Sequence, residues 1–289
     1  MKTRRLIIGL LLAFCGTVLY AKPVLNHIMI IWGENSNYEK SMAQPYLHKL
    51  AQSNIEFTHF SAVAHPSEPN YIAFACGMIA LDSDAHNALS FPQKNLFDLL
   101  DAKGISWKEY EESMVTPGRD SKFYRSKHDF CINFVSIQTS ASRKANIKSF
   151  QGNDPSSYRE LMSVNPPALC MVTPNMCNDG HNCGVGQFNT WLKSSSFFQD
   201  MLKSKYYKDG AIFITFDENE YEPGNRIYCV AVSAKAKSGE KVSEYFDHYS
   251  MLRSVEDNWE LSPYLTKNDK SANSMLGVFT STAKPHKKN

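Results

Sequence analysis

The chain has 289 residues, of which 43% are hydrophobic and 21% are charged, a balance typical of a folded globular protein. This composition excludes long disordered, collagen-like or coiled-coil regions. The 31 basic and 29 acidic residues nearly cancel, and without residues 1–21 the count becomes 28 basic against 29 acidic residues. The charge therefore gives no reason to expect nucleic acid or an anionic membrane as a partner.

The N-terminal segment has the pattern of a secretory signal peptide. A basic start, Met1–Arg5, precedes an apolar run, Leu6–Tyr20, and Ala21 then stands at a plausible cleavage point. The run is shorter than the roughly 20 apolar residues of a transmembrane helix. We expect residues 1–21 to be a cleaved signal peptide and the protein to be secreted or periplasmic, without a stable membrane anchor. An uncleaved anchor is the alternative.

Apolar and helical patterns alternate along the rest of the chain. Strands are predicted over Val24–Trp32, Phe57–Val63, Ile105–Tyr110, Ala168–Val172, Ala211–Phe216 and Ile227–Val232. Helices are predicted over Tyr38–Ser53, Pro69–Cys76, Asn95–Ala102, Ser157–Ser163, Gln187–Lys203 and Tyr249–Trp259. This alternation predicts an α/β fold with a mostly parallel central sheet between helices.

We expect a single domain over residues 22–289. The polar stretch 139–157 is expected to be an insertion or lid, and residues 282–289 a flexible tail.

Cysteine usage agrees with export. Six cysteines remain after residue 21, an even number that suggests disulfides in an oxidising compartment. Cys177 and Cys183 are the expected local pair because they would close a short loop. A zinc site formed by these two cysteines and His181 is the alternative, although no C-x-x-C spacing supports it.

Polar clusters follow the predicted strands or precede the last helix. They are Gly33–Ser36, His65–Tyr71, Thr173–His181, Asp217–Glu220 and Asp247–Tyr249. Each cluster alone is typical of helix caps and loops. Ligands bind at the carboxyl ends of strands in parallel sheets, and carboxylates gathered there repel one another unless a cation compensates. The joint pattern therefore predicts a metal site.

The oxygen-rich set Glu34, Asn35, Asp217 and Glu218 favours a hard divalent cation such as Mg²⁺, Ca²⁺ or Mn²⁺, while nearby histidines leave zinc or iron open. No G-x-S-x-G elbow and no phosphate-binding glycine loop is present. A serine at a helix start beside a metal, as Ser67 would be, can attack phosphorus. These residues suit phosphate-ester hydrolysis through a phosphoserine intermediate.

The motifs together resemble the phosphoesterase family of bacterial secreted acid phosphatases and phosphatidylcholine-type phospholipases C, whose core is similar to alkaline phosphatase. The matching segments are G-E-N-S from Gly33, H-P-S-x-P-N-Y from His65, T-P-N from Thr173, D-G-H from Asp179, T-F-D-E from Thr215 and D-H-Y-S from Asp247. They follow one another in family order between about Val24 and Leu261.

The resemblance implies a role for each position. Glu34, Asn35, Asp217 and Glu218 match metal ligands, and Ser67 matches the nucleophile. His65, His181 and His248 match catalytic positions, whereas Asn70, His128 and Asp179 match positions that bind substrate phosphate. The proline that usually follows the His128 motif is missing.

The leading hypothesis is a secreted, metal-dependent acid phosphatase acting on a phosphorylated small molecule or a phospholipid head group, including phosphoinositides. A phospholipase C-like phosphodiesterase at the same site is the second hypothesis. A non-catalytic exported binding protein, whose clusters are only caps and loops, is the third.

Overall fold

A computed structural model describes residues 22–280. The strands are β1 (Ile28–Gly33), β2 (Ile55–Phe57), β3 (Phe60–Ser61), β4 (Trp107–Glu112), β5 (Ile147–Phe150), β6 (Leu169–Thr173), β7 (Ala211–Phe216), β8 (Arg226–Ile227), β9 (Cys229–Val232), β10 (Lys241–Val242) and β11 (Phe246–Asp247). The helices are α1 (Tyr38–Met42), α2 (Pro45–Ser53), α3 (Ser67–Cys76), α4 (Leu96–Lys103), α5 (Val135–Gln138), α6 (Ala141–Lys144), α7 (Val185–Ser194), α8 (Ser196–Met201), α9 (Lys205–Lys208), α10 (His248–Asn258), α11 (Lys267–Ser271) and α12 (Gly277–Thr280), with a 3-10 helix over Pro155–Met162.

An eight-stranded sheet forms the centre, in the order β10-β2-β9-β7-β1-β6-β4-β5. The strands β7, β1, β6, β4 and β5 pair in parallel, whereas β9 runs antiparallel to both of its neighbours. A second sheet contains three short strands in the order β11-β3-β8. The predicted mostly parallel α/β fold is confirmed.

Apolar sequence explains the middle of the sheet. Every residue of β1, β6 and β7 is buried, as expected for central parallel strands covered by helices on both faces. Because β1 pairs with β6 on one side and β7 on the other, the carboxyl ends of these three strands lie side by side. This edge carries the polar clusters described below.

Several predicted elements are divided. The helix predicted over 38–53 is two helices because Pro45 begins α2, where its missing N–H is harmless. The helix predicted over 187–203 is broken at Ser195, whose extended backbone ends α7 and whose hydroxyl caps α8. The strand predicted over 227–232 also divides, since β8 and β9 belong to different sheets.

The stretch 139–157, predicted as an insertion or lid, contains β5, the edge strand of the main sheet. The predicted signal peptide lies outside the described residues, as does the predicted flexible tail at 282–289. Within residues 22–280, no helix has the length and apolar character needed to cross a bilayer.

The predicted Cys177–Cys183 disulfide is confirmed, so these sulfurs are not free to bind zinc. The wider expectation of further disulfides is wrong for the described residues, because Cys76, Cys131, Cys170 and Cys229 are buried and unpaired. They lie in the apolar core, where they pack as small hydrophobic side chains.

Candidate active site

The predicted acidic and serine residues meet at the carboxyl edge of the central strands. Glu34 and Asn35 follow β1, and Asp217 and Glu218 follow β7. Ser67 is the first residue of α3 and is 1% exposed. The sheet register brings the two acidic pairs together, since Gly33 at the end of β1 pairs with Phe216 at the end of β7.

The Ser67 hydroxyl lies among acceptor oxygens. Its Oγ is 3.1 Å from Glu218 Oε1, and 3.3 Å from both Glu34 Oε2 and Asn35 Oδ1. The Asn35 amide oxygen position is also 3.2 Å from Asp217 Oδ2 and from Glu218 Oε1. The single hydroxyl proton of Ser67 cannot satisfy all of these oxygens.

Backbone contacts hold the acidic pairs in place. Asn35 adopts a left-handed φ of 43°, and its N–H donates to Asp217 Oδ1 at 2.9 Å. The N–H of Glu34 donates to the carbonyl of Asp179 at 2.9 Å. The hydroxyl of Tyr71 donates to Glu34 Oε1. The carboxylates are therefore fixed near one another by contacts that do not neutralise their charge.

Burial makes this arrangement costly unless positive charge is present. Burial, followed by the charge of Asp217, raises the pKa of Glu34 well above its usual range. The same two causes raise the pKa of Glu218 to about 8, and burial raises the pKa of Asp179 and Asp217. A cation would favour the ionised forms and relieve this repulsion.

The observed oxygens fit a hard divalent cation. Ligands of an octahedral Mg²⁺ ion lie about 2.1 Å from the metal, which puts neighbouring oxygens about 3 Å apart. The separations of 3.1–3.3 Å around Ser67 Oγ and Asn35 Oδ1 are close to that spacing. With its oxygen toward the carboxylates, the Asn35 amide can serve as a ligand, whereas the rotated amide would donate hydrogen bonds to them instead. The predicted ligand set is thus brought together.

His128 lies deeper, between two carboxylates. Its Nε2 is 3.3 Å from Glu34 Oε1, its Nδ1 is 3.7 Å from Asp179 Oδ2, and its side chain is 2% exposed. Among the described residues, Glu34, His128 and His181 offer ligand atoms within 4.8 Å of one another. This second group is the one that would suit zinc or iron.

The other predicted histidines differ in exposure. His65 Nδ1 contacts Glu218 Oε2, and the His65 ring stacks on that of Tyr221. His181 is exposed, and its Nδ1 is 3.0 Å from Asn182 Oδ1. Both His65 and His181 therefore lie at the site with part of the ring accessible to a substrate.

His248 is fully buried beneath the site. Its Nε2 donates to the backbone carbonyl of Asp217 at 2.7 Å, and its ring packs between Trp32 and Phe60. Burial lowers its pKa to about 4, so the ring is neutral at ordinary pH. A positioning role through Asp217 fits this burial better than the catalytic role that the resemblance implies for His248.

Asn70, predicted to bind phosphate, has its amide occupied by backbone groups. Its oxygen accepts from the N–H groups of Val63 and Ala64 at 3.0 Å, and its nitrogen donates to the carbonyls of Ala64 and Pro66 at 3.0 and 3.1 Å. These bonds fix the segment that leads into Ser67. A positioning role again fits better than contact with substrate.

A supporting network beside Ser67 was not predicted from the sequence. The Lys127 ammonium lies 2.5 Å from Asp84 Oδ2, and the other oxygen of Asp84 accepts from the N–H of Glu68 at 2.9 Å. Glu68 in turn accepts from the N–H of Ala85 at 2.6 Å. The place of Lys127, directly before His128, is the sequence signal that could have indicated it.

A family model and several known proteins match most of this chain. Residues 26–262 match the model of the phosphoesterase family. A probable acid phosphatase of Kluyveromyces lactis is 36% identical over 88% of this chain, which covers 62% of that protein. A phosphatidylinositol-3-phosphatase of Mycobacterium tuberculosis is 26% identical over 85% of this chain and 81% of its own length. The chain thus spans about three fifths of the fungal relative's length.

A solved structure supports the fold. A protein of the alkaline phosphatase superfamily from Vibrio parahaemolyticus superposes with a TM-score of 0.59 and 14% identity, over 82% of this chain and 66% of the other. The resemblance inferred from the motifs is confirmed by these matches. The chain belongs to the phosphoesterase family.

Proposed function

We propose that the protein is an acid phosphatase-type hydrolase that cleaves phosphate monoesters with Ser67 as nucleophile. The observation that carries this proposal is the Ser67 hydroxyl, which contacts both acidic pairs at the start of α3. The names of the relatives, acid phosphatases and a phosphatidylinositol-3-phosphatase, support a monoesterase over a phospholipase C-like diesterase.

In this proposal Glu34, Asn35, Asp217 and Glu218 hold a divalent cation, with Mg²⁺, Ca²⁺ or Mn²⁺ favoured by their oxygen atoms. When bound, such a cation would polarise the phosphoryl oxygens and favour the ionised form of the serine hydroxyl. The ten-residue helix α3 begins at Ser67, so its N-terminus adds favourable partial charge for a phosphoryl group.

The reaction divides into two displacements. Ser67 Oγ attacks phosphorus and forms the phosphoserine, its proton passes to Glu218 at 3.1 Å, and the bond between phosphorus and the ester oxygen breaks. The leaving alkoxide takes a proton from His181, the exposed histidine of the site. Water then attacks phosphorus and gives a proton to His181, the bond between phosphorus and Ser67 Oγ breaks, Ser67 takes back the proton from Glu218, and inorganic phosphate leaves.

We also propose that residues 1–21 direct export and that the chain from residue 22 onward forms one phosphoesterase domain. The Cys177–Cys183 disulfide supports an oxidising compartment. The proposed substrates are phosphorylated small molecules or phospholipid head groups, and no nucleic acid is proposed.

The test compares the wild type with Ser67→Ala and Ser204→Ala. Ser204 is a matched control because it is a buried serine that caps α9, ahead of the amino end of β7. We expect hydrolysis of p-nitrophenyl phosphate by the wild type and Ser204→Ala, loss in Ser67→Ala, and loss after chelation with recovery on adding Mg²⁺, Ca²⁺ or Mn²⁺. Activity that survives both chelation and Ser67→Ala would contradict the mechanism.

A lipid panel defines the bond that is cleaved. Phosphate release from phosphatidylinositol 3-phosphate, without phosphocholine release from phosphatidylcholine, is the result that the monoesterase proposal predicts. Phosphocholine as the main product would make the protein a diesterase instead.

A further inference from the structure

Tyr221 is an aromatic side chain at the rim of the candidate site that the mechanism does not use. Tyr221 is 70% exposed. Its ring lies nearly parallel to that of His65, with centroids 4.3 Å apart and planes 17° apart. Since His65 contacts Glu218, and Glu218 contacts Ser67, the Tyr221 ring stands just outside the reacting groups.

The backbone holds Tyr221 in a conformation that tyrosine rarely adopts. Its φ is +61°, in the left-handed region where a Cβ is unfavourable. The turn is fixed because Asn219 bonds both the N–H and the carbonyl of Glu222, at 3.1 and 3.0 Å. Asn225 donates to the carbonyl of Ala64 at 2.8 Å, which ties the turn to the residue before His65. Non-glycine residues held in this region cluster at functional sites, and Tyr221 lies at the rim of this one.

A shallow cleft of about 420 Å³ adjoins this ring. Residues 62–65 and 221–225 line it, all within the described part of the chain, and they include no Lys or Arg. The single carboxylate of the lining, Glu222, is bonded to Asn37 Nδ2 at 2.5 Å. The cleft therefore suits an uncharged group rather than a second phosphate.

We propose that Tyr221 is a specificity-determining residue that stacks on planar aromatic leaving groups, so that the protein prefers aryl phosphates to phosphates of open-chain alcohols. This inference rests on the proposed phosphatase function. An aromatic pair gains energy from offset stacking beyond the area that it buries, and an alkyl group cannot reproduce that gain. Because the ring is already held against His65, little conformational entropy is lost when a substrate ring binds.

The test uses Tyr221→Ala, Tyr221→Leu and Tyr221→Phe, with Tyr245→Ala as a matched control. Tyr245 is a second exposed tyrosine that packs against a histidine, His59, and it does not line the cleft beside Tyr221. Calorimetry measures the Kd of phenylphosphonate and of methylphosphonate, and kinetics measure kcat/KM for phenyl phosphate and β-glycerophosphate. The phosphonates separate ring binding from leaving-group chemistry.

We expect Tyr221→Ala and Tyr221→Leu to raise the Kd of phenylphosphonate about three- to tenfold and leave that of methylphosphonate unchanged. The preference for phenyl phosphate over β-glycerophosphate should fall by a similar factor, while Tyr221→Phe and Tyr245→Ala resemble the wild type. Equal changes for both phosphonates would assign Tyr221 to positioning His65 only and overturn the inference, as would no change. A wild type that hydrolyses neither ester would contradict the proposed function instead.

Discussion

The Asn70 amide offers a direct test of what positions Ser67, the proposed nucleophile. Asn70→Ala removes four hydrogen bonds to the backbone of residues 63–66. A typical intramolecular hydrogen bond contributes about 1 kcal/mol net to stability. Val63 and Ala64 are only half-buried, so water can replace part of the loss, and we expect the free energy of unfolding to fall by about 3 kcal/mol.

Activity should fall together with stability. Without the amide, the segment from Val63 to Pro66 loses four of the bonds that hold it, while the bond from Asn225 to the carbonyl of Ala64 remains. Misplacing a reacting group by 1 Å can cost about 100-fold in rate. We expect kcat/KM for p-nitrophenyl phosphate to fall at least about tenfold, with urea denaturation measuring the stability of the same preparation. Asn95→Ala is the control, because Asn95 is a buried asparagine that caps α4, and it should cost about 1 kcal/mol without changing kcat/KM.

The two roles for Asn70 give different results. A variant that keeps its stability within about 1 kcal/mol but loses activity would show that the amide contacts substrate, as the sequence motif implied, and would refute the positioning argument. A variant that keeps both properties would show that other contacts hold the segment.

Three further predictions concern the rest of the chain. Burial raises the pKa of Glu256 from 4.5 to about 9, so the free energy of unfolding of the wild type should fall as pH rises from about 4.5 to 9, with about 3 kcal/mol lost at pH 7. The Tm of Glu256→Gln should therefore fall less than that of the wild type over this pH range. Parallel Tm profiles of the wild type and the variant would contradict this expectation. Replacing Cys177 and Cys183 by serine opens a loop with a sequence separation of 6, which should lower the free energy of unfolding by about 2 kcal/mol, as measured by thermal denaturation. The KM should also rise, because His181 lies in that loop. Wild-type values of both quantities would refute this expectation. Ser195→Ala should cost about 1 kcal/mol and leave kcat/KM unchanged, and an unaltered Tm would show that the α8 cap does not stabilise the fold.

Local sequence was sufficient where apolar strands decide the architecture. The runs that form β1 and β7 are entirely buried, and their register places Glu34 and Asp217 together as predicted. Local sequence was not sufficient where pairing with a distant part of the chain determines the secondary structure. The edge strand β5 is short and half-polar, and it is defined mainly by pairing with β4, so its pattern did not indicate a strand.

At the candidate site, too, the sequence predicted some features and not others. Residue types and order indicated which side chains would meet, because the carboxyl ends of parallel strands share one edge. They did not indicate side-chain direction: His248 turns toward the carbonyl of Asp217, and Asn70 turns toward its own preceding segment. The sequence does not distinguish Tyr221 from the other aromatic residues, since its exposure depends on a turn tied to Ala64 far along the chain.

The proposed mechanism requires a phosphoserine intermediate, which rapid acid quenching during turnover would trap. Wild-type protein mixed with p-nitrophenyl phosphate and quenched within one turnover would be digested, and its peptides analysed by mass spectrometry. We expect a phosphoryl group on Ser67, at the start of α3, in the wild type and no such group in Ser67→Ala. Turnover by the wild type without phosphorylated Ser67, together with retained activity in Ser67→Ala, would contradict the proposed mechanism.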